Sequence, residues 1–319
     1  MTEPVPSEPP PLHAPVSGAT PRHLEASGRA QTPRPAHAPS EAKLVALDID
    51  GTLTCFNDIV SPRVARAVHR LVESGLHPVM ATGRAVTGML AAAQSMRLGQ
   101  GWAVCSNGAV IVRLDDHLPG GFEVTDATTF APAEPLNAIR QVLPTALIAV
   151  ENVGRGWNVT SPFPPGELHG PMEVVPYRDL VAAPATRVVV RTAELAQPEL
   201  AAIIEEVALP GVTYDIGWSA WMDMTPPDVT KASGLEILRR RLSVTPGGTV
   251  AIGDGSNDIP MLRWASRAVA MGGADPEVLA AATEEGPPLA DDGVAAVIAS
   301  VLGGVVGADP THGVEGPVP

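Results

Sequence analysis

Two carboxylates two residues apart, Asp48 and Asp50, close a short apolar run and are followed at once by Gly51-Thr52-Leu53-Thr54. Along an extended segment alternate side chains share a side, so both carboxylates point the same way. Such a pair suits covalent chemistry at phosphorus. One carboxylate attacks and forms an aspartyl-phosphate; the other gives a proton to the leaving oxygen and later activates water. A calcium loop of the EF-hand kind is excluded, because its glycine belongs at position six and an acidic residue at twelve, whereas Gly51 comes fourth and Ile59 twelfth.

Three further polar segments fit the same chemistry. Ala81-Thr82-Gly83-Arg84 places a hydroxyl and an unobstructed backbone N–H at a helix start, where phosphate oxygens are held well. Lys231, after Thr225-Pro226-Pro227, opens another helix and could neutralise a phosphate and the attacking carboxylate, although the helix dipole disfavours a cation there. Gly253-Asp254-Gly255-Ser256-Asn257-Asp258 offers four oxygen-bearing side chains on a glycine-loosened loop, a donor set suited to Mg²⁺. A dinucleotide loop is disfavoured because the third glycine of its fingerprint is missing and the acidic residues would repel pyrophosphate; no GxxxxGK[ST] occurs.

The elements that must position these residues alternate. Leu44-Val45-Ala46-Leu47 reads as a buried parallel strand. A helix follows with Ser61 as N-cap, Pro62 at its first position, a face of Val64, Val68, Leu71 and Val72, and Gly75 as its stop. Strands are expected at 78–81, 103–105, 249–252 and 268–271, and helices over 86–96, 231–242, 259–265 and 276–282. This alternation implies an α/β fold with a doubly wound parallel sheet, whose ligands bind beyond the carboxyl ends of the strands. Between the two halves the pattern changes to proline-broken strands (146–150, 187–191, 220–224) and helices (133–142, 198–207), an α+β insert.

Taken in order, the four segments resemble those of the haloacid dehalogenase-like (HAD) superfamily of phosphotransferases: DIDGTLT its first motif, ATGR its second, Lys231 its third and GDGSNDIPML its fourth. The long insert between the second and third motifs, preceded by Ser106-Asn107-Gly108-Ala109, is similar to the Cof-type (subfamily IIB) branch, whose cap is an α+β lid. The resemblance implies Asp48 as nucleophile and Asp50 as general acid/base. It implies Mg²⁺ held by the Asp48 carboxylate, the Asp50 backbone carbonyl and Asp254, with Asp258 close by, and phosphoryl contacts from Thr82, Gly83, Lys231 and Asn257. The implied domains are a core of 41–113 and 225–302, a cap of C2 type over 114–224, and loose tails at 1–40 and 303–319. Cap residues proposed to face the substrate are Glu151, Arg187, Arg191, Trp218, Trp221 and Asp223.

The implied reaction is hydrolysis of a small phosphorylated metabolite such as a sugar phosphate. Transfer of the phosphoryl group to a sugar acceptor remains an alternative; a non-catalytic binding role is disfavoured by the intact Asp48, Asp50, Lys231 and Asp254. A net charge of −14 argues against nucleic acid or anionic lipid as partners. Cys55 and Cys105 form no CxxC pair and read as reduced thiols. With no basic-then-apolar leader at the N-terminus, and with the charge-free 293–307 stretch short for a bilayer and broken by glycines, a cytoplasmic protein with a packed C-terminal helix is expected. Oligomeric state is left open.

Overall fold

The computed structural model describes residues 44–54, 59–217 and 220–306. The expected N-terminal tail, Cys55, Trp218 and the last residues from 307 lie outside the described residues. In chain order the strands are β1 (Leu44–Leu47), β2 (His77–Ala81), β3 (Gln100–Cys105), β4 (Val110–Asp115), β5 (Phe122–Ala127), β6 (Leu147–Asn152), β7 (Gly156–Val159), β8 (Met172–Val174), β9 (Val188–Arg191), β10 (Thr213–Ile216), β11 (Trp221–Thr225), β12 (Thr249–Gly253), β13 (Arg267–Gly272) and β14 (Glu284–Pro288). The helices are α1 (Pro62–Glu73), α2 (Val86–Ser95), α3 (Ala133–Val142), α4 (Tyr177–Leu180), α5 (Gln197–Val207), α6 (Lys231–Arg241), α7 (Ile259–Trp264), α8 (Pro276–Ala281) and α9 (Gly293–Val306).

An eight-stranded sheet runs β14-β13-β12-β1-β2-β3-β4-β5. It is parallel from β14 to β3; β4 turns back against β3, and β5 against β4. The alternation within β1 explains its unbroken apolar run: Val45 and Leu47 pack with α1, α2 and α9, whereas Leu44 and Ala46 pack with α6, α7 and α8. Helices therefore cover both faces, as the sequence implies. Helix α1 starts as read, with the Ser61 hydroxyl accepting from the Val64 N–H at 3.1 Å and Val64, Val68 and Leu71 buried; Val72, however, is 45% exposed. It sits one position round from Leu71, past the edge of the buried stripe.

The second sheet is six-stranded, β10-β11-β9-β6-β7-β8. Ile148, Val150, Val188, Val190, Met222 and Met224 line one face and pack under α3 and α5. The other face turns toward the first domain: Ala149, Trp157, Val159 and Val189 pack with Ala85 of the β2–α2 loop. The larger sheet continues through β5 to Ala127, later than the boundary at 114 expected for the insert. The Ser106-Asn107 turn reverses the chain after β3, so the next two strands extend the core sheet before the chain leaves it. At the other end α9 runs on to Val306, beyond the expected start of the tail at 303. Among the described residues no helix is long and apolar enough to cross a membrane.

Candidate active site

The carboxyl ends of β12, β1, β2 and β3 lie side by side; the first three empty into polar segments and β3 into the Ser106-Asn107-Gly108 turn. Asp48 follows β1 and anchors its backbone N–H on Ile252 O at 3.0 Å; Thr82 follows β2 and bonds Val104 O at 2.8 Å. Parallel neighbours thus bring residues far apart in sequence onto one edge.

At its centre is Lys231. The side chain is wholly buried, and its ammonium donates to Asp48 Oδ1 and Asp258 Oδ1, both at 2.6 Å. The unfavourable dipole at the start of α6 is outweighed by these two anions. Burial alone would lower the Lys231 pKa; the Asp258 and Asp48 carboxylates overcome it and hold the ammonium above its ordinary range. Asp48 is itself buried, and desolvation, with Asp258 adding repulsion, raises its carboxyl well above the usual value despite the lysine. Thr230 starts the helix reciprocally: its hydroxyl accepts from Ser233 N–H while its own N–H reaches Ser233 Oγ.

The fourth segment folds around Asp258. Its Oδ2 accepts from the backbone N–H groups of Asp254 and Gly255, each at 2.9 Å. Asp254 accepts from the Thr52 hydroxyl at 2.8 Å, and desolvation, reinforced by Asp258, pushes its carboxyl up to about 6. Gly51, at φ +85°, is required here, since a Cβ would lie 2.0 Å from Asp254 Oδ2. Carboxylate oxygens of Asp48, Asp254 and Asp258 come within 4.8 Å of one another. A convergent, partly desolvated all-oxygen set answered by a single ammonium fits a hard divalent cation such as Mg²⁺.

Asp50 is placed differently from its neighbour. Its half-exposed carboxylate is forked by Arg84, with Nε on Oδ2 at 2.8 Å and Nη2 on Oδ1. Asn257 donates to Asn107 Oδ1 at 3.0 Å, and both side chains crowd Gly83, where a Cβ would meet them at 3.1–3.3 Å. Thr82 is buried, and its hydroxyl accepts from the Arg84 N–H. Thr82, Gly83 and Asn257 therefore belong to one cluster with Asn107. Arg84 and Asn107 are the residues that sequence reasoning quoted but assigned no role. The signal for Asn107 was available: Ser106 and Asn107 both take positive φ (51° and 52°), a conformation that an Asn-Gly pair favours.

The cap residues singled out from the sequence divide. Glu151 on β6 is buried and reaches into the core, accepting from Ser106 Oγ at 2.6 Å and, with its other oxygen, from Val86 N–H at 3.4 Å; Thr186 Oγ1 adds a bond at 3.0 Å. It therefore ties the cap to both loops that frame Gly83. Arg187 is paired with Asp223 (Nε–Oδ1 2.7 Å), which also receives Trp221 Nε1 at 3.2 Å. Arg191 pairs with Glu167.

Against known proteins, the profile of the haloacid dehalogenase-like hydrolases matches residues 45–121 and 182–298. A phosphoglycolate phosphatase of Methanothermobacter thermautotrophicus is 26% identical over 82% of this chain and 99% of its own. An HMP-PP phosphatase of Cronobacter sakazakii is 27% identical over 75% and 87% respectively. Among solved structures, a haloacid dehalogenase-like hydrolase from Bacteroides thetaiotaomicron superposes with a TM-score of 0.69 at 24% identity, covering 82% of this chain and all of that one. A subclass IIB sugar phosphatase superposes with a TM-score of 0.66 at 23% identity, covering 81% and 98%; at such identities the likeness is one of fold. On this evidence the chain belongs to the haloacid dehalogenase-like hydrolases, as an enzyme of their phosphatase type.

Proposed function

We propose that the chain is a Mg²⁺-dependent phosphatase that hydrolyses a small phosphorylated metabolite through an aspartyl-phosphate on Asp48. The observation that carries this is the buried Lys231 ammonium held at 2.6 Å by Asp48 and Asp258, beside the loop of Asp254. Nothing in a structural role requires two carboxylates to hold one desolvated lysine with a third beside them, and a buried ionic assembly of this kind is often no more stable than apolar packing.

In this scheme an Asp48 carboxylate oxygen attacks phosphorus as the bond from phosphorus to the ester oxygen breaks. Asp50, released from Arg84, protonates the departing oxygen. It then takes a proton from the water that attacks phosphorus and regenerates Asp48. Thr82, Gly83, Lys231 and Asn257 receive the phosphoryl oxygens, so that charge on the loose transition state meets fixed donors. Asp48 and Asp254, with the Asp50 carbonyl, would hold Mg²⁺, with Asp258 close by; Asp258 also orders the Asp254 loop and Lys231 through its own hydrogen bonds. When bound, the cation supplies further positive charge toward the phosphoryl oxygens.

The test is phosphate release from p-nitrophenyl phosphate by the purified chain, with no acceptor sugar present. Activity should require Mg²⁺, vanish reversibly with EDTA, and be abolished by Asp48→Asn with the fold retained. Undiminished turnover by Asp48→Asn refutes the mechanism; release of nitrophenol only when a sugar acceptor is added would make the chain a transferase.

A further inference from the structure

Building on the phosphatase reading, we infer that the cap selects a leaving group rich in hydrogen-bond donors, a polyol or amino-sugar phosphate, and rejects one carrying a carboxylate, with Asp215 as the selecting residue.

The core-facing side of the cap sheet is fixed by its contacts: Glu151 bonds Ser106 and Val86, and Ala149 and Val189 pack on Ala85. Strand register extends that side outward. Val189 lies beside Asp223, and Asp223 beside Asp215. With alternation along each strand, the same side carries Arg187, Arg191 and Trp221. Asp215 therefore stands on the roof over the core loops.

Charge bookkeeping across this face leaves one group over. Arg187 is taken by Asp223 and Arg191 by Glu167. Glu151 is satisfied by two hydroxyls and an N–H. Among the described residues Asp215 has no hydrogen-bond or ion-pair partner, and its side chain is open to solvent. It nevertheless lies deep enough among protein atoms that desolvation raises its carboxyl, with Asp223 adding to the rise and Lys231, the catalytic cation, near enough to oppose it. An open carboxylate facing the reacting centre accepts hydrogen bonds from hydroxyl or ammonium groups and repels a second anion. Neither cation on this face is available to receive a carboxylate, which a substrate such as phosphoglycolate would present. The roof thus argues against the anionic leaving group in the name of one relative.

Three substrates of matched size separate the possibilities: glucose 6-phosphate, glucosamine 6-phosphate and 6-phosphogluconate, with p-nitrophenyl phosphate as a control that presents no polar group to the roof. In the Mg²⁺-loaded full chain, kcat/KM for 6-phosphogluconate should fall at least about tenfold below the other two, the scale of one charged hydrogen bond exchanged for a repulsion. Asp215→Asn should shrink that ratio to about threefold or less; Asp215→Lys should invert it. If p-nitrophenyl phosphate is hydrolysed but 6-phosphogluconate is turned over as well as the others, or none of the three is, or Asp215→Asn leaves the ratio unchanged, the inference is overturned and the phosphatase reading stands. No Mg²⁺-dependent hydrolysis of any substrate overturns both.

Discussion

Replacing Lys231 by Met removes the one ammonium bonded to Asp48 and Asp258 and leaves their buried carboxylates facing each other. Asp258 keeps two backbone N–H donors on its Oδ2, whereas the Asp48 carboxylate loses the donor that held it. Asp48 must therefore remain as an uncompensated anion or take up a proton. Protonating a carboxyl whose ordinary value is 3.8 at pH 7.5 costs about 5 kcal/mol, at 1.36 kcal/mol per unit. That figure caps the penalty and agrees with the 3–5 kcal/mol typical of breaking a buried pair. The sign of the pH dependence follows. A carboxyl raised in the folded state is a penalty above its unfolded value, and the penalty fades as pH falls toward that value. Lys231→Met should thus unfold about 3–5 kcal/mol more easily than the parent at pH 7.5, and up to about 3 kcal/mol of this should be recovered at pH 5.5, less what the parent's own raised Asp48 gains over the same range. Adding Asp258→Asn should restore at least about 1 kcal/mol at pH 7.5. Guanidinium denaturation followed by circular dichroism in EDTA reads all three. A loss below about 1 kcal/mol, or one that does not change with pH, would refute the electrostatic account of this cluster.

Glu151→Ala strands the Ser106 and Thr186 hydroxyls and the Val86 N–H; kcat on p-nitrophenyl phosphate should drop about tenfold and stability by about 1–3 kcal/mol, with Glu151→Gln restoring most of the kcat. Steady-state kinetics of the three proteins decide whether the cap carboxylate positions the core loops. Glu236 is held down to about 2, first by its bond to Arg239 and then by Trp264 and Arg240. A lowered folded pKa stabilises above the unfolded value of 4.5 and is lost as pH falls through about 2. Glu236→Gln should therefore cost no more than about 1 kcal/mol at pH 7, because the pairs are partly solvated, and the difference in denaturation midpoint should close as pH drops from 4.5 toward 2.

The core strands were legible because burial on both faces forces an unbroken apolar run: Leu44–Leu47 and Thr249–Gly253 are buried at every position. The polar residues that end them stood out for the same reason. β14 was not legible, because Glu284–Pro288 is a mostly exposed edge strand of acidic residues, glycine and prolines, paired to β13 through a register shift. β5 and the last two residues of β4 were read into the insert because the strand–helix alternation stops at Cys105, and only the positive-φ turn at Ser106-Asn107 returns the chain to the same sheet. Within the site, motif residues declared themselves by type and spacing. The Arg84–Asp50 fork and the Glu151–Ser106 bond join residues 34 and 45 positions apart. Such partnerships are set by how strands and domains stack, which no local pattern encodes.

The central claim is that Asp48 becomes phosphorylated. Acid quenching of the Mg²⁺-loaded enzyme during turnover, borohydride reduction and peptide mass spectrometry test it directly, since an acyl phosphate is reduced to the alcohol while a free carboxylate is not. The account predicts that the Asp48 peptide carries homoserine at position 48, only with substrate present and never in Asp48→Asn. Recovery of unmodified Asp48 throughout active turnover, with reduction at another carboxylate such as Asp50 or Asp254, would contradict it.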